Sequence, residues 1–475
     1  MKKLSAPLEK LLRDARIDLI LSRIEKDENV INEVINHLDS DIRSVKFNSI
    51  LVLGEVGEQS VNSVSKIISC LEDQDWSICR EAARSLGKIG NAAKGAVLQL
   101  SRLLEDKEES IRKEAAIALG KIGNPTQESI LSLINALNDE SEFVRTEVAK
   151  ALGAIGSDAS DAIPALMKSL KDVTWTVRTA SAQSISLIGR GSTKAIPSLI
   201  KALEDPDWRV RYRVATTLTE IGEAAVPAIL AVLDHKNEIV RKEAVDTLGG
   251  MKISDLNVIE SISQLLNDKK EQVRGKAADA LRNIGQAAVP NLINALESVK
   301  IQMKKIIISA LGGIGTKAKE AIPPIIDYLI IPEQEIEFFP SFSNKIKRAF
   351  LNFLKDPLKK HTSLRVEAAR ALGKIGFESE DAVNALENAL NDPRKIVRRE
   401  AALSLGKLGE IAKIAIPSLL KALKDTNPDV RWRTSEALGL IGVNTEDVIA
   451  NLNELIHDEC DYVCEAAINA LDNLS

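Results

Sequence analysis

The sequence has few aromatic residues and few cysteines. Tryptophan, tyrosine and phenylalanine together make up only 3% of the 475 residues, and the four cysteines are Cys70, Cys79, Cys460 and Cys464. Four unevenly spaced cysteines cannot crosslink a chain of this length, which excludes a disulfide-stabilised framework and predicts reduced thiols. Hydrophobic residues of all kinds reach 45%, so the core must be mainly aliphatic.

Long apolar runs are also missing. No uninterrupted apolar segment approaches the roughly 20 residues that a membrane-spanning helix needs. Glu9, Lys10, Arg13 and Asp14 interrupt the beginning of the chain, which therefore lacks the apolar centre of a signal peptide. A net charge of −5 gives no general attraction to nucleic acid or to anionic membranes. Together these features predict a cytoplasmic protein without a transmembrane segment.

What the sequence does contain is an internal repeat. An arginine that follows Val, Ile or Leu recurs at intervals of mostly 33 residues, and we take it as the anchor of each repeat. Two intervals of 30 residues, one of 36 (43 to 79) and one of 61 (304 to 365) depart from this spacing. The anchors are Arg43, Arg112, Arg145, Arg178, Arg211, Arg241, Arg274, Arg365, Arg398 and Arg431, with Cys79, Lys304 and Cys464 in the equivalent position. This gives thirteen repeats.

Each repeat contains two helical patterns. The first carries a proline in its opening turn, where the missing N–H costs little. The second ends at an Ile-Gly pair, and the glycine favours a left-handed cap. At 100° per residue, Val144, Val148 and Leu152 share one face of a second helix and are predicted to be core. Five positions of each repeat lie on the side away from this core face: three and two residues before the anchor, and one, two and five residues after it. We call them the outward positions and expect them to contact a partner.

The repeated frame D-x-x-x-V-R-x-x-A-A-x-A-L-G-x-I-G resembles the short HEAT-like repeats named for the phycobilisome lyases. The resemblance implies an all-α fold, a right-handed α-α superhelix (HEAT-like or armadillo-type solenoid) of about thirteen helix pairs. We expect an N-terminal capping helix in residues 1–28, HEAT-like repeats in 29–315, an irregular repeat or insertion in 316–363, and further repeats with a C-terminal cap in 364–475.

The irregular segment has an apolar stripe at helical spacing, flanked by basic residues. Its members are Ile346, Ala349, Phe350, Phe353 and Leu354. We interpret the stripe as the core of an irregular repeat, and a helix that lies on a membrane surface is the alternative.

An aspartate lies six residues before an anchor arginine in seven repeats. Such an aspartate can cap the second helix and accept hydrogen bonds from a guanidinium of the same or a neighbouring repeat. In HEAT-like families these residues form a ladder along the stack, so we assign them a structural role, with direct ligand contact as the alternative. The pairs are Asp106/Arg112, Asp139/Arg145, Asp172/Arg178, Asp205/Arg211, Asp268/Arg274, Asp392/Arg398 and Asp425/Arg431.

No catalytic, cofactor or metal site is predicted. His37 and His235 occupy the aspartate position of their repeats and are interpreted as turn residues. The HEAT-like deoxyhypusine hydroxylases bind two irons through His-Glu pairs, and none of the four histidines here is followed by Glu. His457, Cys460 and Cys464 are close in sequence, but Cys464 occupies an anchor position. A lyase-type subunit or an oxidoreductase remains an alternative that rests on the resemblance alone.

The outward positions combine acidic charge with aromatic residues. Thirteen are Lys or Arg and seventeen are Asp or Glu, which is the wrong balance for a general nucleic-acid groove. Yet these positions hold seven of the fifteen aromatic residues, including every tryptophan. Trp, Tyr and Arg dominate binding hot spots. The candidate partner-binding residues are Trp76, Phe143, Trp175, Trp208, Arg209, Tyr212, Arg213, Trp432, Arg433 and Tyr462.

These candidates predict a non-enzymatic scaffold or adaptor that binds a protein or peptide on the concave face of the solenoid. Nucleic-acid binding through Trp175, Trp208, Tyr212 and Arg213 is the alternative. A tryptophan three residues before the anchor could also serve only to pack on the next turn, in which case it belongs to the scaffold.

Overall fold

The computed structural model of this chain is built from helices. It describes residues 7–189, 191–330 and 357–475, with side chains in the last range described from residue 361 onward. Within these ranges α-helices and short 3-10 helices are the only regular elements. They follow one another as pairs, each with a shorter first helix and a second helix that usually has 14 residues. The predicted all-α solenoid of helix pairs is confirmed.

The first of two compact units comprises residues 1–232. It begins with two short helices, Leu8–Arg13 and Ile17–Ile24, in the range where the sequence predicts a capping helix. Its first helices are Asn29–Asn36, Val64–Ser69, Val97–Arg102, Gln127–Ala136, Ile163–Ser169, Ile196–Ala202 and Val226–Leu230. Its second helices, which stack side by side, are Arg43–Val56, Trp76–Ile89, Glu109–Ile122, Glu142–Ile155, Trp175–Ile188 and Trp208–Ile221.

The second unit comprises residues 233–475. Its first helices are Leu256–Gln264, Val289–Ser298, Ile322–Leu329, Glu380–Ala389, Ile416–Ala422 and Glu446–Leu455. Its second helices are Glu238–Met251, Glu271–Ile284, Ile301–Ile314, Pro357–Ile375, Lys395–Leu408, Pro428–Ile441 and Asp461–Leu474. The apolar stripe from Ile346 to Leu354 lies outside the described residues.

Proline and polar caps determine where the helices begin. Pro164 and Pro197 occupy the first turn of their first helices, as predicted. Several second helices start after a residue whose side chain accepts the N–H two residues on, as Asp75, Ser141 and Asp207 do. Because the cap satisfies an N–H that has no partner within the helix, it fixes the start of the second helix in these repeats.

The glycine that closes a second helix has a positive φ, but its conformation often differs from the predicted left-handed cap. Gly123 is left-handed, with φ 62° and ψ 24°. Gly156 instead has φ 75° and ψ −139°, and the chain enters a 3-10 helix at that residue. Side chains with a Cβ are excluded from this second region, so the position still requires glycine.

A glycine inside the second helix allows neighbouring second helices to approach closely. A Cβ added to Gly120 would lie 2.9 Å from the Cα of Ala151, and one added to Gly249 would lie 2.6 Å from the Cα of Ala280. Both distances are too short for real atoms. The small residue 31 positions later therefore packs directly against the backbone of the helix-internal glycine.

The first repeat differs in register from the prediction. The helix Arg43–Val56 begins three residues before Lys46, just as later second helices begin three residues before their anchors. Lys46 Nζ binds a carboxylate oxygen of Asp73, 27 residues later, at 2.5 Å. Lys46 is therefore the anchor, and the first interval is 33 rather than 36 residues.

The assignment of Arg43 as an anchor is wrong because the match was made on its Ile-Arg dipeptide. Val45, which the predicted register treated as outward, is fully buried and is the core residue that precedes the true anchor. His37 is consequently not in the aspartate position, which belongs to Ser40. Ser40 Oγ accepts the N–H of Ile42 at 3.2 Å, as the aspartates do in later repeats.

Stacking covers one of the five outward positions. The residue two after the anchor is Glu81, Ala180 or Glu400 in three of the repeats, and each is at most 5% exposed. In an isolated second helix this position would face solvent, but in the stack the adjacent second helix packs over it. The same position is held by Arg213, which is half-buried.

Candidate functional site

Most of the anchor arginines bind an aspartate of the following repeat. Arg145 donates from Nε and Nη2 to the two carboxylate oxygens of Asp172 at 2.8 and 2.9 Å. Its Nη1 donates to the main-chain carbonyl of Asp139, six residues earlier, at 2.9 Å. The same arrangement occurs in Arg112–Asp139, Arg178–Asp205, Arg241–Asp268, Arg398–Asp425 and Arg431–Asp458.

Each of these aspartates also organises its own turn. Asp172 Oδ1 accepts the N–H of Thr174 at 2.8 Å, while both oxygens receive Arg145. The side chains of Arg145 and Asp172 are each only 12% exposed. Residues six apart are thus joined through a main-chain carbonyl, whereas the ion pair connects neighbouring repeats. Groups so shielded and so fully bonded are poorly placed to contact a ligand.

The ladder continues in altered form at three other anchor arginines. Arg365 forms an ion pair with Asp392. Arg211 and Arg274 donate Nη1 to the carbonyls of Asp205 and Asp268, at 2.8 and 2.9 Å. Arg274 has no aspartate at the equivalent position of the following repeat, because the residue 27 positions later is Ile301.

Cysteine replaces the anchor arginine in two repeats. Cys79 Sγ donates to the carbonyl of Leu71 at 3.0 Å, and burial raises the pKa of this thiol to about 11. A thiol with so high a pKa is a poor nucleophile. Cys464 Sγ donates to the carbonyl of Asp458 at 3.1 Å, the atom that an anchor arginine would bind.

One acidic cluster near the end of the chain has ligand atoms close together. Among the residues that the structure describes, Asp458, Glu459 and Cys460 bring theirs within 4.8 Å of one another. Both carboxylates already bind Arg431, Asp458 at 2.7 and 2.8 Å and Glu459 at 3.1 Å. The Arg431 guanidinium therefore already balances the negative charge that would attract a metal ion. His457 is not part of the cluster.

Five predicted residues lie on two adjacent second helices of the first unit, and we call them the aromatic patch. They are Trp175, Trp208, Arg209, Tyr212 and Arg213. The guanidinium carbon of Arg209 lies 3.6 Å from the ring centroid of Trp175, a close cation–π contact between neighbouring repeats. Trp208 and Tyr212 are each 64% exposed and are four residues apart, so both side chains lie on one side of the helix.

Asp207 holds Arg209 in place. Its carboxylate accepts from Arg209 Nε and Nη2 at 2.9 and 2.6 Å and also from the Arg209 N–H at 2.9 Å. The hydrogen bonds from the guanidinium lower the pKa of Asp207 to about 2. The cation that covers Trp175 is therefore already neutralised, and Arg213 is the other cation of the patch. Arg213 Nε is buried without a hydrogen-bond partner among the described residues.

A second aromatic cluster lies between the helices Pro428–Ile441 and Asp461–Leu474. The rings of Trp432 and Tyr462 meet edge to face with centroids 5.7 Å apart. The Arg433 guanidinium lies 3.7 Å from the Trp432 centroid. Tyr462 donates its hydroxyl to a carboxylate oxygen of Asp429 at 3.3 Å.

Beside this cluster is a groove of about 500 Å³, which we call the aromatic groove. Its lining residues are Trp432, Glu436, Leu440, Tyr462, Glu465, Ala466, Asn469, Ala470 and Asn473. The other two predicted aromatic residues are also accessible. Trp76 is 47% exposed, with the Arg80 guanidinium 5.0 Å from its ring, and Phe143 is 57% exposed.

Two further residues were not among the predicted candidates. Phe47 lies one position after the true anchor of the first repeat, and it was missed because the anchor was placed at Arg43. The helix-internal glycines Gly54 and Gly87, 33 residues apart, carried the correct register. Leu440 was missed because it lies nine residues after its anchor, beyond the five outward positions, and only the adjacent helix makes it part of a groove.

The stacked helix pairs and the interrepeat ion pairs define an α-solenoid repeat protein. The family model described as HEAT repeats matches residues 64–131, 99–186, 196–261, 226–298, 348–416 and 416–475. The chain belongs to the HEAT repeat family. A comparison with curated proteins found no match. Within the described residues, no helix is both long and apolar enough to cross a membrane.

Among solved structures, an engineered protein is 20% identical, with 94% of this chain and 98% of that chain covered and a TM-score of 0.32. Kap95p, from a complex with RanGDP, is 13% identical over 98% of this chain and 74% of its own, with a TM-score of 0.46. The CpcE–CpcF complex of phycocyanin lyase from a Nostoc species is 25% identical over 51% and 92%, with a TM-score of 0.30. TM-scores this low carry no argument about function.

Proposed function

We propose that this protein is a scaffold that binds another protein or a peptide, and that the aromatic patch of the first unit is its principal contact. The observation that carries the proposal is the exposure of Trp208 and Tyr212, each 64% accessible, on a helix whose core is already complete. Val210, Val214 and Leu218 of the same helix are fully buried. Removing the two aromatic side chains therefore opens no cavity, and folding alone gives no reason for their exposure.

The position of Arg209 supports the same proposal. Stacking on Trp175 and bonding to Asp207 hold its guanidinium in one orientation before a partner arrives. A preorganised cation between large amphipathic rings loses little conformational entropy on binding. This is the composition and rigidity that binding hot spots have.

Nucleic-acid binding is less well supported by the same geometry. Phosphate contacts require uncommitted cations, but Arg209 is neutralised by Asp207. Arg213 is half-buried at the position that stacking covers. The patch therefore suits an uncharged or weakly acidic protein surface better than a polyanion.

The test uses the double variant Trp208→Ala/Tyr212→Ala as bait in native lysate, with bound proteins quantified against wild type. The matched control is Val61→Ala/Leu131→Ala, which removes exposed apolar side chains elsewhere in the same unit. We expect specific partners to be retained by wild type and by the control and lost by the patch variant, with all three proteins melting alike. Identical partner sets for wild type and the patch variant would show that the proposal is wrong.

A further inference from the structure

The aromatic groove differs from the aromatic patch in its charge. Four carboxylates stand on the outward side of its two helices: Asp429, Glu436, Asp461 and Glu465. One guanidinium, that of Arg433, accompanies them, and it is bound to Glu436 at 2.5 Å. Within the described part of the chain, neither Asp461 nor Glu465 has an ion-pair partner. The surface is thus acidic at the point where the Tyr462 ring is exposed and the half-buried Trp432 packs against it.

The groove combines apolar with polar side chains, and its lining includes two small buried residues. Leu440 is 55% exposed and Tyr462 is 40% exposed, while Ala466 and Ala470 are buried beneath them. The amides of Asn469 and Asn473 also line the groove and offer both donors and acceptors to a peptide main chain. A volume of about 500 Å³ accommodates a few side chains of an extended segment.

We propose that the aromatic groove binds a basic, partly apolar segment of a partner protein, with a Lys or Arg side chain between the aromatic rings and the carboxylate of Glu465. This inference extends the proposed scaffold function and depends on it in one respect, that the bound molecule is a protein. The Arg433 guanidinium covers one face of Trp432, so the exposed Tyr462 ring is the open face for an incoming cation. Ring faces attract cations, and the effect adds to that of a carboxylate beside them. An apolar neighbour of the cation would contact Leu440.

The occupant follows from charge complementarity. An acidic segment would place its carboxylates against Asp461 and Glu465, which have no cation to offset the repulsion. In the aromatic patch the one carboxylate, that of Asp207, is bound by Arg209, and Arg213 adds positive charge. The groove therefore favours a basic segment and the patch an uncharged or weakly acidic one, so that one chain can hold two partners of different charge.

The experiment measures binding of fluorescein-labelled ten-residue peptides to the full-length protein by anisotropy. One probe alternates Lys and Leu, and the second alternates Glu and Leu. We expect the Lys-Leu peptide to bind in a salt-dependent manner and the Glu-Leu peptide to bind at least about tenfold more weakly. Equal binding of the two peptides, or no binding of the Lys-Leu peptide, overturns the proposal.

Variants locate the binding. Asp461→Lys/Glu465→Lys should weaken the Lys-Leu peptide at least about tenfold. The control Glu410→Lys/Glu454→Lys makes the same change in net charge at exposed positions of the same unit away from the groove, and should leave the affinity within about twofold. Equal loss in both double variants would mean that net charge alone attracts the peptide, which contradicts a groove site.

The aromatic contribution is tested in the same assay. Trp432→Ala should also weaken the Lys-Leu peptide, and Tyr462→Phe, which keeps the ring and loses the bond to Asp429, should not. Trp208→Ala, in the aromatic patch, should leave this peptide unaffected. Since the lysate test of the proposed function depends on Trp208 and Tyr212, failure of one proposal leaves the other standing. Thermal melting of every variant shows whether the fold is retained.

Discussion

Arg145 and Asp172 are joined by two parallel hydrogen bonds, from Nε at 2.8 Å and from Nη2 at 2.9 Å, although the residues are 27 positions apart. The remaining terminal nitrogen of Arg145 reaches the carbonyl of Asp139 in its own repeat at 2.9 Å. One guanidinium thus connects two successive interhelical turns. Each repeat in this part of the chain is held to the next at both the helix packing surface and the turns.

Replacing Arg145 with alanine should lower the free energy of unfolding by about 1–3 kcal/mol, because Asp172 would lose its charge-assisted partner in a shielded turn. Arg398→Ala, which breaks the pair with Asp425, should behave alike. Urea denaturation of each variant measures the effect. Arg274→Ala is the control, because Arg274 donates to a main-chain carbonyl and has no aspartate 27 residues later; a loss there as large as in Arg145→Ala would contradict the role of the ion pair.

Replacing Gly249 with alanine should destabilise the second unit, because the new Cβ would lie 2.6 Å from the Cα of Ala280 and the two helices would have to separate. We expect a loss of about 1–3 kcal/mol from this overpacking. Gly275→Ala is a matched control in a second helix, where a Cβ meets no atom within 4 Å. That substitution should stabilise by roughly 0.5–1 kcal/mol through helix propensity. Thermal melting that moved in the same direction for both variants would refute the close-approach role.

Asp75 should contribute to acid sensitivity. Hydrogen bonds from Arg43, and next from Ser77, lower its pKa from 3.8 to about 2. A carboxyl group whose pKa is lowered by folding stabilises the folded state above its unfolded pKa, and this contribution is lost as the pH falls from about 4 towards 2. Asp75→Asn keeps an oxygen for capping but has no charge. Unfolding free energies measured between pH 5 and pH 2 should therefore fall more steeply for wild type than for the variant, and parallel curves would contradict this.

The tryptophans of the aromatic patch should differ in their access to solvent. Trp208 is 64% exposed, whereas one face of Trp175 is covered by the Arg209 guanidinium. The fraction of the tryptophan fluorescence that neutral acrylamide can quench should therefore fall more in Trp208→Phe than in Trp175→Phe. Arg209→Ala should increase the quenching in the Trp208→Phe background, because it uncovers Trp175. No increase would mean that the stacking does not persist in solution.

The sequence alone established the repeat, the helix pairs and the core face, because each depends on local properties that recur in every copy. Apolar residues at helical spacing, proline in the first turn and glycine after the last turn act within one repeat. Val144, Val148 and Leu152 are fully buried, as their spacing predicts. The frame also predicted the family, since a motif that recurs along most of the chain is specific for the fold.

Only the tertiary structure decided which residues of different repeats meet. An aspartate six residues before an arginine is visible in sequence, but its carboxylate binds the arginine of the preceding repeat, because the stacking brings that guanidinium closer. The same stacking buries Glu81 and partly covers Arg213, which a single helix would expose. It also places Leu440 and Tyr462 in one groove. Contacts between repeats depend on how two helices are spaced and rotated, and no pattern within one repeat specifies that relationship.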